Sequence, residues 1–400
     1  MEMRFAYKCR LYDSQPNKHL HHQLDVGSII WNHITALQKR YYRIFGKHIS
    51  ESRMKNHLAY LRMKTQCCRY WRALGSQAVQ DVCERHERAY QKFFNKQGGL
   101  PRFKKVKKYK SITLKQAGWK PLPDKRAPKE KQSGNGYHRG IGMIEIDGRR
   151  YKFIKPRPMT GQIKTVTIKR DTAGRLWVCF SVIEDIPIKE DETSTGKIGG
   201  FDFGLKVFLT TNDGQPIENP LYFQQDLPHL RQIQSWVDKK VPGSRNRQRG
   251  KAHIARRHAR IADKRREFHF QLAHDLCDEY DILVFETLNI VAMKRIWGRK
   301  VSDLGFAKFI EIVQWGARKR GKQVVFVDRW ERTTQKCSKC GHMQTLTLKD
   351  RTFCCENEEC GLMLDRDHNA AINIRKAGRC LLLSQLEEDQ PEDPSDGIRR

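Results

Sequence analysis

The sequence predicts a multidomain α+β protein: a small β-barrel holding an inserted helical segment, then an α/β domain interrupted by a cysteine-rich module. Three observations carry this expectation. Residues 4–12, "RFAYKCRLY", alternate polar and apolar like an edge or barrel strand, whereas residues 14–94 turn to a helical period. From residue 198 onward, apolar strand-like runs alternate with helical ones, the pattern of α/β folds. Finally, five of the 12 cysteines crowd into residues 337–360.

In order along the chain, "LGSQAVQDVCERHERAYQKFF" sets Ala78, Val79, Val82, Ala89, Tyr90 and Phe93 at helical spacing behind a Gly-Ser start. "GLPRFKKVKKYKS" then leaves the helix as a basic, Pro-containing stretch. Residues 119–140, rich in Pro, Gly and Lys and without periodicity, read as a mobile insertion. "MIEIDGRRYKFI" and "IKTVTIKRDTAGRLWVCFSVIE" are short strands with Asp-Gly and Ala-Gly turns, which close most naturally into a barrel together with residues 4–12. The expected boundaries are 1–13 and 119–190 for the barrel and 14–118 for the helical domain. A polar linker, "EDIPIKEDETSTGK", leads to the α/β domain, expected at 191–335 and 362–380. It holds the hairpin "GFDFGLKVFLTTNDG", a basic helix, the strand "DILVFE", a helix around "FAKFIEIVQWGARKRG" and the strand "KQVVFVD". "DRDHNAAINIRKAG" supplies a last helix, stopped by Gly378. The cysteine module occupies 336–361, and residues 381–400 form an acidic, Pro-containing tail expected to be disordered.

Composition narrows the function. There are 77 Lys and Arg against 45 Asp and Glu, a formal charge of +32, and such an excess seeks a polyanion, most commonly nucleic acid. No apolar run suits a membrane span or a signal peptide, so the expected place is the cytoplasm, in association with the nucleoid and without a membrane partner. In that reducing setting the cysteines are not a disulfide framework, and the seven outside the cluster read as small core residues.

Three acids sit in or beside apolar elements of the α/β region: Asp202 in the first strand, Glu286 closing "ILVFE", and Asp367 opening the last helix. Taken singly, each has an ordinary reading. Asp365 or Asp367 can cap a helix, Glu286 can end a strand in a salt bridge, and Asp202 can be a structural hydrogen bonder. Together they imply convergence, which like charges tolerate only with a divalent cation between them. Carboxylates and water suit Mg²⁺ or Mn²⁺, and two such ions about 4 Å apart clamp the attacking and leaving oxygens of a phosphodiester. In "CSKCGHMQTLTLKDRTFCCENEEC", Cys337 and Cys340 form a CxxC, with Cys354, Cys355 and Cys360 downstream. Four thiolates suit a tetrahedral, structural Zn²⁺ site of the zinc-ribbon kind. Cys355 is favoured over Cys354 because it shares a strand face with Phe353, and His342 is the weaker candidate.

The segments "GFDFGLK", "FETLNI", "TTQKCSKCG" and "LDRDHNAAINI", with the opening "YKCRLYDSQPNKHL" and "AYQKFF…GLPRFKK", resemble the TnpB family over residues 4–378. TnpB proteins are the insertion-sequence-encoded ancestors of type V CRISPR effectors. The resemblance implies a wedge barrel, a helical recognition domain and an RNase H-like nuclease domain of the RuvC type, catalytic at Asp202, Glu286 and Asp367. It further implies a guide RNA from the element's own end, double-stranded target DNA cut beside a short adjacent motif, and retention of the element. Phe201 stands where one common form of the first motif has a small apolar residue, while all three acids are present. A compact CRISPR effector, a non-cleaving RNA-guided repressor and a strand-transferring transposase are the rival readings.

Within that frame, nine Arg and Lys lie between Arg247 and Arg266, against Asp263 and Glu267. A helix so unbalanced is expected to face nucleic-acid backbone, through Arg247, Arg249, Arg256, Arg257 and Arg260. Ser76, Gln77 and Gln80 open one helix of the helical segment, where Gln can read adenine. Tyr109, Tyr151 and Phe153 interleave with basic residues, as base-stacking or as core side chains, the latter preferred for Phe153.

Overall fold

Period-two patterning builds the sheets of the N-terminal part, and near-continuous apolar runs build the parallel strands of the C-terminal part. The computed structural model describes residues 2–130, 137–185, 195–347 and 350–388. The chain divides into two units, Met1–Pro187 with Lys251–Arg256, and Ile188–Gly250 with Arg257–Arg400.

In the first unit, β1 (Glu2–Arg10) leads into α1 (Asn17–Phe45), α2 (Glu51–Lys64), a 3₁₀ segment at Gln66–Ala73 and α3 (Ser76–Phe94). The strands β2 (Ser111–Leu114), β3 (Trp119–Arg126), β4 (Lys129–Glu130), β5 (Tyr137–His138), β6 (Gly140–Ile146), β7 (Arg149–Lys155), β8 (Gln162–Arg170) and β9 (Leu176–Asp185) follow. They form one sheet in the order β1-β9-β8-β2 and another in the order β3-β6-β7, joined by a bridge between Leu11 and Phe153. Helices and sheets share a single apolar core.

Several sequence expectations need correction here. Ser111–Leu114 pairs with β8, so the helical segment ends before residue 111 rather than at 118. Trp119–Arg126, read as a mobile insertion, is a strand; Pro121 and Pro123 are accommodated because β3 is the edge of its sheet. Residues 131–136 of that insertion and 186–194 of the linker lie outside the described residues. Tyr109, Tyr151 and Phe153 are all buried in the core, so none is available to stack on a base.

The second unit holds β10 (Ile198–Phe203), β11 (Val207–Thr211), β12 (Pro216–Glu218), α4 (Tyr222–Asp238), α5 (Arg245–Glu279) and β13 (Ile282–Glu286). After these come α6 (Ile290–Leu304), α7 (Phe306–Lys319), β14 (Gln323–Val327), β15 (Thr352–Cys354), β16 (Met363–Asp365) and α8 (Arg366–Glu388). The main sheet runs β12-β11-β10-β13-β14, with β10, β13 and β14 parallel. Alternation sends Phe201, Leu283 and Phe285 to one face, against Phe309 and Val313 of α7. It sends Val284 to the other, against Ile374 of α8.

Two glycines let α8 lie close on that second face. A Cβ on Gly200 would stand 2.4 Å from the Ala371 carbonyl oxygen, and one on Gly378 would stand 2.4 Å from Val284 Cγ1. Gly378 therefore sits inside the helix as a packing residue and does not stop it. The helix continues through "LLLSQLEE", a run of good helix formers, so residues 381–388 are helical rather than a disordered tail; 389–400 lie outside the described residues. Among the described residues, no helix is long and apolar enough to cross a membrane.

Each unit also encloses a neutral histidine. His86 Nε2 lies 3.3 Å from Thr35 Oγ1, and His269 Nε2 donates to the Leu304 carbonyl at 3.0 Å. Burial pushes both down to about 4.

Two predictions follow from this packing. Gly200→Ala must displace α8 from β10 and should cost about 1–3 kcal/mol, read as a lowered urea midpoint; an unchanged midpoint contradicts the close approach. Because both histidines bind a proton more readily unfolded than folded, stability should be full above pH 6.5 and fall as pH drops toward 4. The loss is up to about 3 kcal/mol per histidine, and His269→Gln should remove one share of it in urea titrations at stepped pH.

Candidate active site and cysteine centre

The strand register brings the first two acids side by side. β10 and β13 run parallel with Phe201 opposite Phe285, so Asp202 and Glu286 follow at the same level and project to the face that α8 covers. The Phe201 and Phe285 rings stack at 5.0 Å on the opposite face and fix that register. Asn212 secures β10 from the other side, its Oδ1 accepting from the Gly200 N–H at 2.8 Å.

α8 brings the third acid. Asp365 Oδ1 accepts from the N–H groups of Asp367 and His368 at 2.9 and 3.2 Å, so Asp365 is the helix cap and Asp367 is left to face the strand acids. Burial, and next the Asp367 and Glu286 carboxylates, push the Asp202 carboxyl well above the usual range, with Arg366 acting in the opposite direction. Burial also lifts Glu286 to about 7. Among the described residues, no Lys or Arg forms an ion pair with Asp202 or Glu286; Arg366 reaches Asp367 at 3.5 Å. The Asp202 carboxyl thus feels the charge of the other two, and oxygen donors of this type suit hard divalent cations, although among the described residues only the cysteine set below brings its ligand atoms within 4.8 Å of one another.

The cysteine centre is more compact. The sulfurs of Cys337, Cys340, Cys355 and Cys360 lie within 4.8 Å of one another, with two pairs at 3.6 Å. A tetrahedron of Zn–S bonds near 2.3 Å has edges of about 3.8 Å, so the set fits Zn²⁺. Burial would raise the Cys337 thiol, but the amides of Cys340 and Lys339 and the neighbouring thiols outweigh it and hold it at about 7. Two Cys-Gly turns shape the centre, with Gly341 and Gly361 at φ of 81° and 59°. The longer Cys355–Cys360 spacing is taken up by an Asn357 turn, whose Oδ1 accepts from the Glu359 N–H at 3.1 Å. Cys354 is exposed and outside the set, as is His342.

One connection was not read from the sequence. Asn369 and Asn373 are buried on α8 and bind the loop that enters the cysteine centre. Asn369 Oδ1 accepts from the Ser338 N–H at 2.9 Å and its Nδ2 donates to the Lys336 carbonyl at 2.8 Å. Asn373 Nδ2 donates to the carbonyls of Thr333 and Lys336. The signal was present: two Asn four residues apart in an otherwise apolar helical face require polar partners.

The remaining candidates are not part of this assembly. Arg257 pairs with Asp226 at 3.3 Å, and Arg247 donates to the Lys240 carbonyl, so both are engaged structurally. Arg249, Arg256 and Arg260 are exposed. In the first unit, Ser76 and Gln80 are exposed and Gln77 is half-buried on α3.

Comparison with known proteins finds relatives over most of the chain. Residues 178–297 match a family model described as "Probable transposase" (OrfB_IS605), and residues 306–374 match "Cas12f1-like, TNB domain". A Streptomyces pristinaespiralis protein named "Putative RNA-guided DNA endonuclease" is 28% identical over 387 residues, covering 94% of this chain and 90% of its own. The "TnpB-like protein L79" of Acanthamoeba polyphaga mimivirus is 28% identical over 246 residues, 57% of this chain and 46% of its own. Among solved structures, Cas12f1 in its complex with guide RNA and target DNA shares the fold at a TM-score of 0.55 and 18% identity, over 90% of this chain and 83% of that one. The matched segments contain the acid-bearing strands, the cysteine centre and the start of the last helix, and in them the chain is similar to TnpB-like proteins.

Proposed function

We propose that this protein is an RNA-guided, metal-dependent DNA endonuclease of a transposable element, and that Asp202, Glu286 and Asp367 form its RuvC-type nuclease site. The observation that carries the reading is the approach of the Glu286 and Asp367 carboxylates to Asp202 with, among the described residues, no Lys or Arg paired to Asp202 or Glu286. Its relatives' names and the excess of 77 cationic side chains over 45 acidic ones support nucleic-acid partners: a guide RNA and double-stranded target DNA.

In this reading the first unit is the wedge barrel with its helical recognition insertion, the second the RNase H-like nuclease domain with an inserted zinc ribbon. Mg²⁺ or Mn²⁺, when bound, would lower the pKa of water and neutralise charge on the phosphate. Asp202 and Asp367 hold the ions from strand and helix. Glu286 acts mainly as a further ligand. α8 keeps bulk water from one side of the acids. Cys337, Cys340, Cys355 and Cys360 hold a structural Zn²⁺. Ser76, Gln77 and Gln80 are proposed at the target-adjacent duplex, and Arg249, Arg256 and Arg260 at nucleic-acid backbone. The match to a "Probable transposase" model favours strand transfer as a second reading, which requires element-end DNA and no RNA.

The deciding experiment is plasmid cleavage with Mg²⁺ by protein purified with its native flanking DNA. Target-matched cutting should fall at least about 100-fold in Asp202→Ala and Asp367→Asn, the scale of losing one preorganised charged group. Asp365→Asn should cut near the wild-type rate, because Asn caps as well as Asp does. Cutting that survives Asp202→Ala, or that proceeds without RNA, overturns the proposal. A separate prediction concerns the cysteine centre, whose own apolar core amounts to Cys337, Phe353 and Cys360 with a few partners. Chelation should speed amide exchange across residues 337–365, restored by Zn²⁺ but not by Mg²⁺, while the first unit is unaffected. Exchange that ignores Zn²⁺ would remove the metal from this site.

A further inference from the structure

The C-terminal ends of α1 and α3 and the loop after α3 leave a group of aromatic and aliphatic side chains in solvent. Tyr42 is 62% exposed, Phe93 38%, Phe94 51% and Leu100 43%. With His48 and Tyr90 they surround a cavity of about 350 Å³, the lower range of small-ligand sites. The rings are mutually braced. His48 contacts Tyr90 at 5.0 Å between centroids and Phe94 edge-on at 5.6 Å, and Tyr90 lies 6.0 Å from Phe94. His48 is pinned in turn, with Gln38 on Nδ1 and Glu87 on Nε2.

The charge around this cavity is predominantly positive. Lys39 lines it, and Arg40 and Arg43 of α1, Lys47 just beyond that helix, Lys92 of α3 and Lys96 just beyond it are near neighbours of its lining residues along the chain. The nearby acid, Glu87, is engaged by His48 and by Gln91. A second copy of this chain, presenting the same face, would set these cations against their equals. An anionic partner with a flat apolar component matches both features: phosphates for the rim, a π face for the cavity.

We propose that this cavity receives an unpaired base of the bound RNA, stacked on Phe94 and Tyr42 while the cationic rim holds the neighbouring phosphates. The proposal rests on the RNA-guided reading and adds a site to it that is independent of the nuclease acids. RNA is the occupant rather than displaced DNA because a folded RNA offers splayed loop and bulge bases before any target is opened, and its recognition runs through such bases.

The test uses full-length protein purified with its co-expressed RNA and no target. Ultraviolet crosslinking should join an RNA base to the peptides carrying Tyr42 or Phe93–Phe94. The double variant Tyr42→Leu/Phe94→Leu keeps apolar bulk and removes the π faces; it should lose that crosslink and bind the RNA about ten-fold more weakly. Its salt dependence should be unchanged, whereas Lys92→Gln/Lys96→Gln should flatten it. An unchanged thermal midpoint shows the double variant folded. Full retention of RNA affinity and crosslink by that variant overturns the site and leaves the guided-nuclease reading standing. A crosslink that forms only to DNA after target addition assigns the cavity to the displaced strand, against the proposal. A change of oligomeric state with RNA affinity intact assigns it to a second copy, also against. Absence of any co-purifying RNA overturns the guided reading itself.

Discussion

The burial of Asp202 beside the carboxylates of Asp367 and Glu286 is the constraint on which the arrangement of the second unit bears. Placing two carboxylates at the same level of adjacent parallel strands raises the energy of the folded chain, and burial raises it further. The opposite face compensates. Phe201 and Phe285 stack there, Phe203 and Phe208 join them, and Phe306 and Phe309 of α7 close the cluster. Aromatic burial on one side thus holds in place a polar geometry that would otherwise spread apart on the other.

The third acid depends on a different kind of support. Asp365 ends strand β16, where it lies opposite Thr352, and it also caps α8. The first turn of the helix is therefore continuous with the hairpin of the cysteine centre. Asn369 and Asn373, one and two turns further along, bind the loop that carries Cys337. Helix, hairpin and thiolate turns form one polar-clamped body, and the two glycines lay that body flat against β10 and β13. This explains why a cysteine module is inserted between the last strand of the sheet and the last helix: it is the mount on which Asp367 is set.

Much of this was legible in the sequence, and what was not has identifiable causes. The nearness of Glu286 and Asp367 to Asp202 could be anticipated because a carboxylate among apolar strand residues needs a reason, and the cysteine cluster because its spacing is restrictive. Cys355 could be separated from Cys354 by strand alternation together with the Phe-x-Cys phrasing of the family it resembles. The errors arose where local composition and tertiary role part company. Gly378 has the identity of a helix stop, but it is dictated by the nearness of Val284, a contact distant in sequence. Pro121 and Pro123 argue against a strand unless the strand is an edge, and edge position is a property of the whole sheet. Tyr151 sits among basic residues along the chain yet points into the core, since alternation separates a strand residue from its neighbours, and Tyr109, at the end of the 3₁₀ segment Val106–Lys108, is buried as well. Arg257 looked like one more free cation until Asp226, on another helix, was placed beside it.

The charge balance supplies the remaining step. A chain with 77 Lys and Arg has ample means to neutralise an acid, and elsewhere it does so: Asp81 pairs with Arg85, Glu84 with Lys55 and Lys115, Asp171 with Arg175, Asp281 with Lys322. Were Asp202 and Glu286 merely structural, a Lys or Arg in the first turns of α8 would be the cheapest remedy for their repulsion. Arg366 is in that region, but it is turned to Asp367 and to the Thr347 carbonyl. Leaving two strand acids unpaired in so cationic a protein is costly at every moment that the site is empty. That cost makes sense if the charge is reserved for ions that arrive with, or ahead of, a phosphodiester. On the proposed reading the two signs have separate tasks: the cationic excess would draw in the polyanion, and the small negative centre would hold the metal that must meet it.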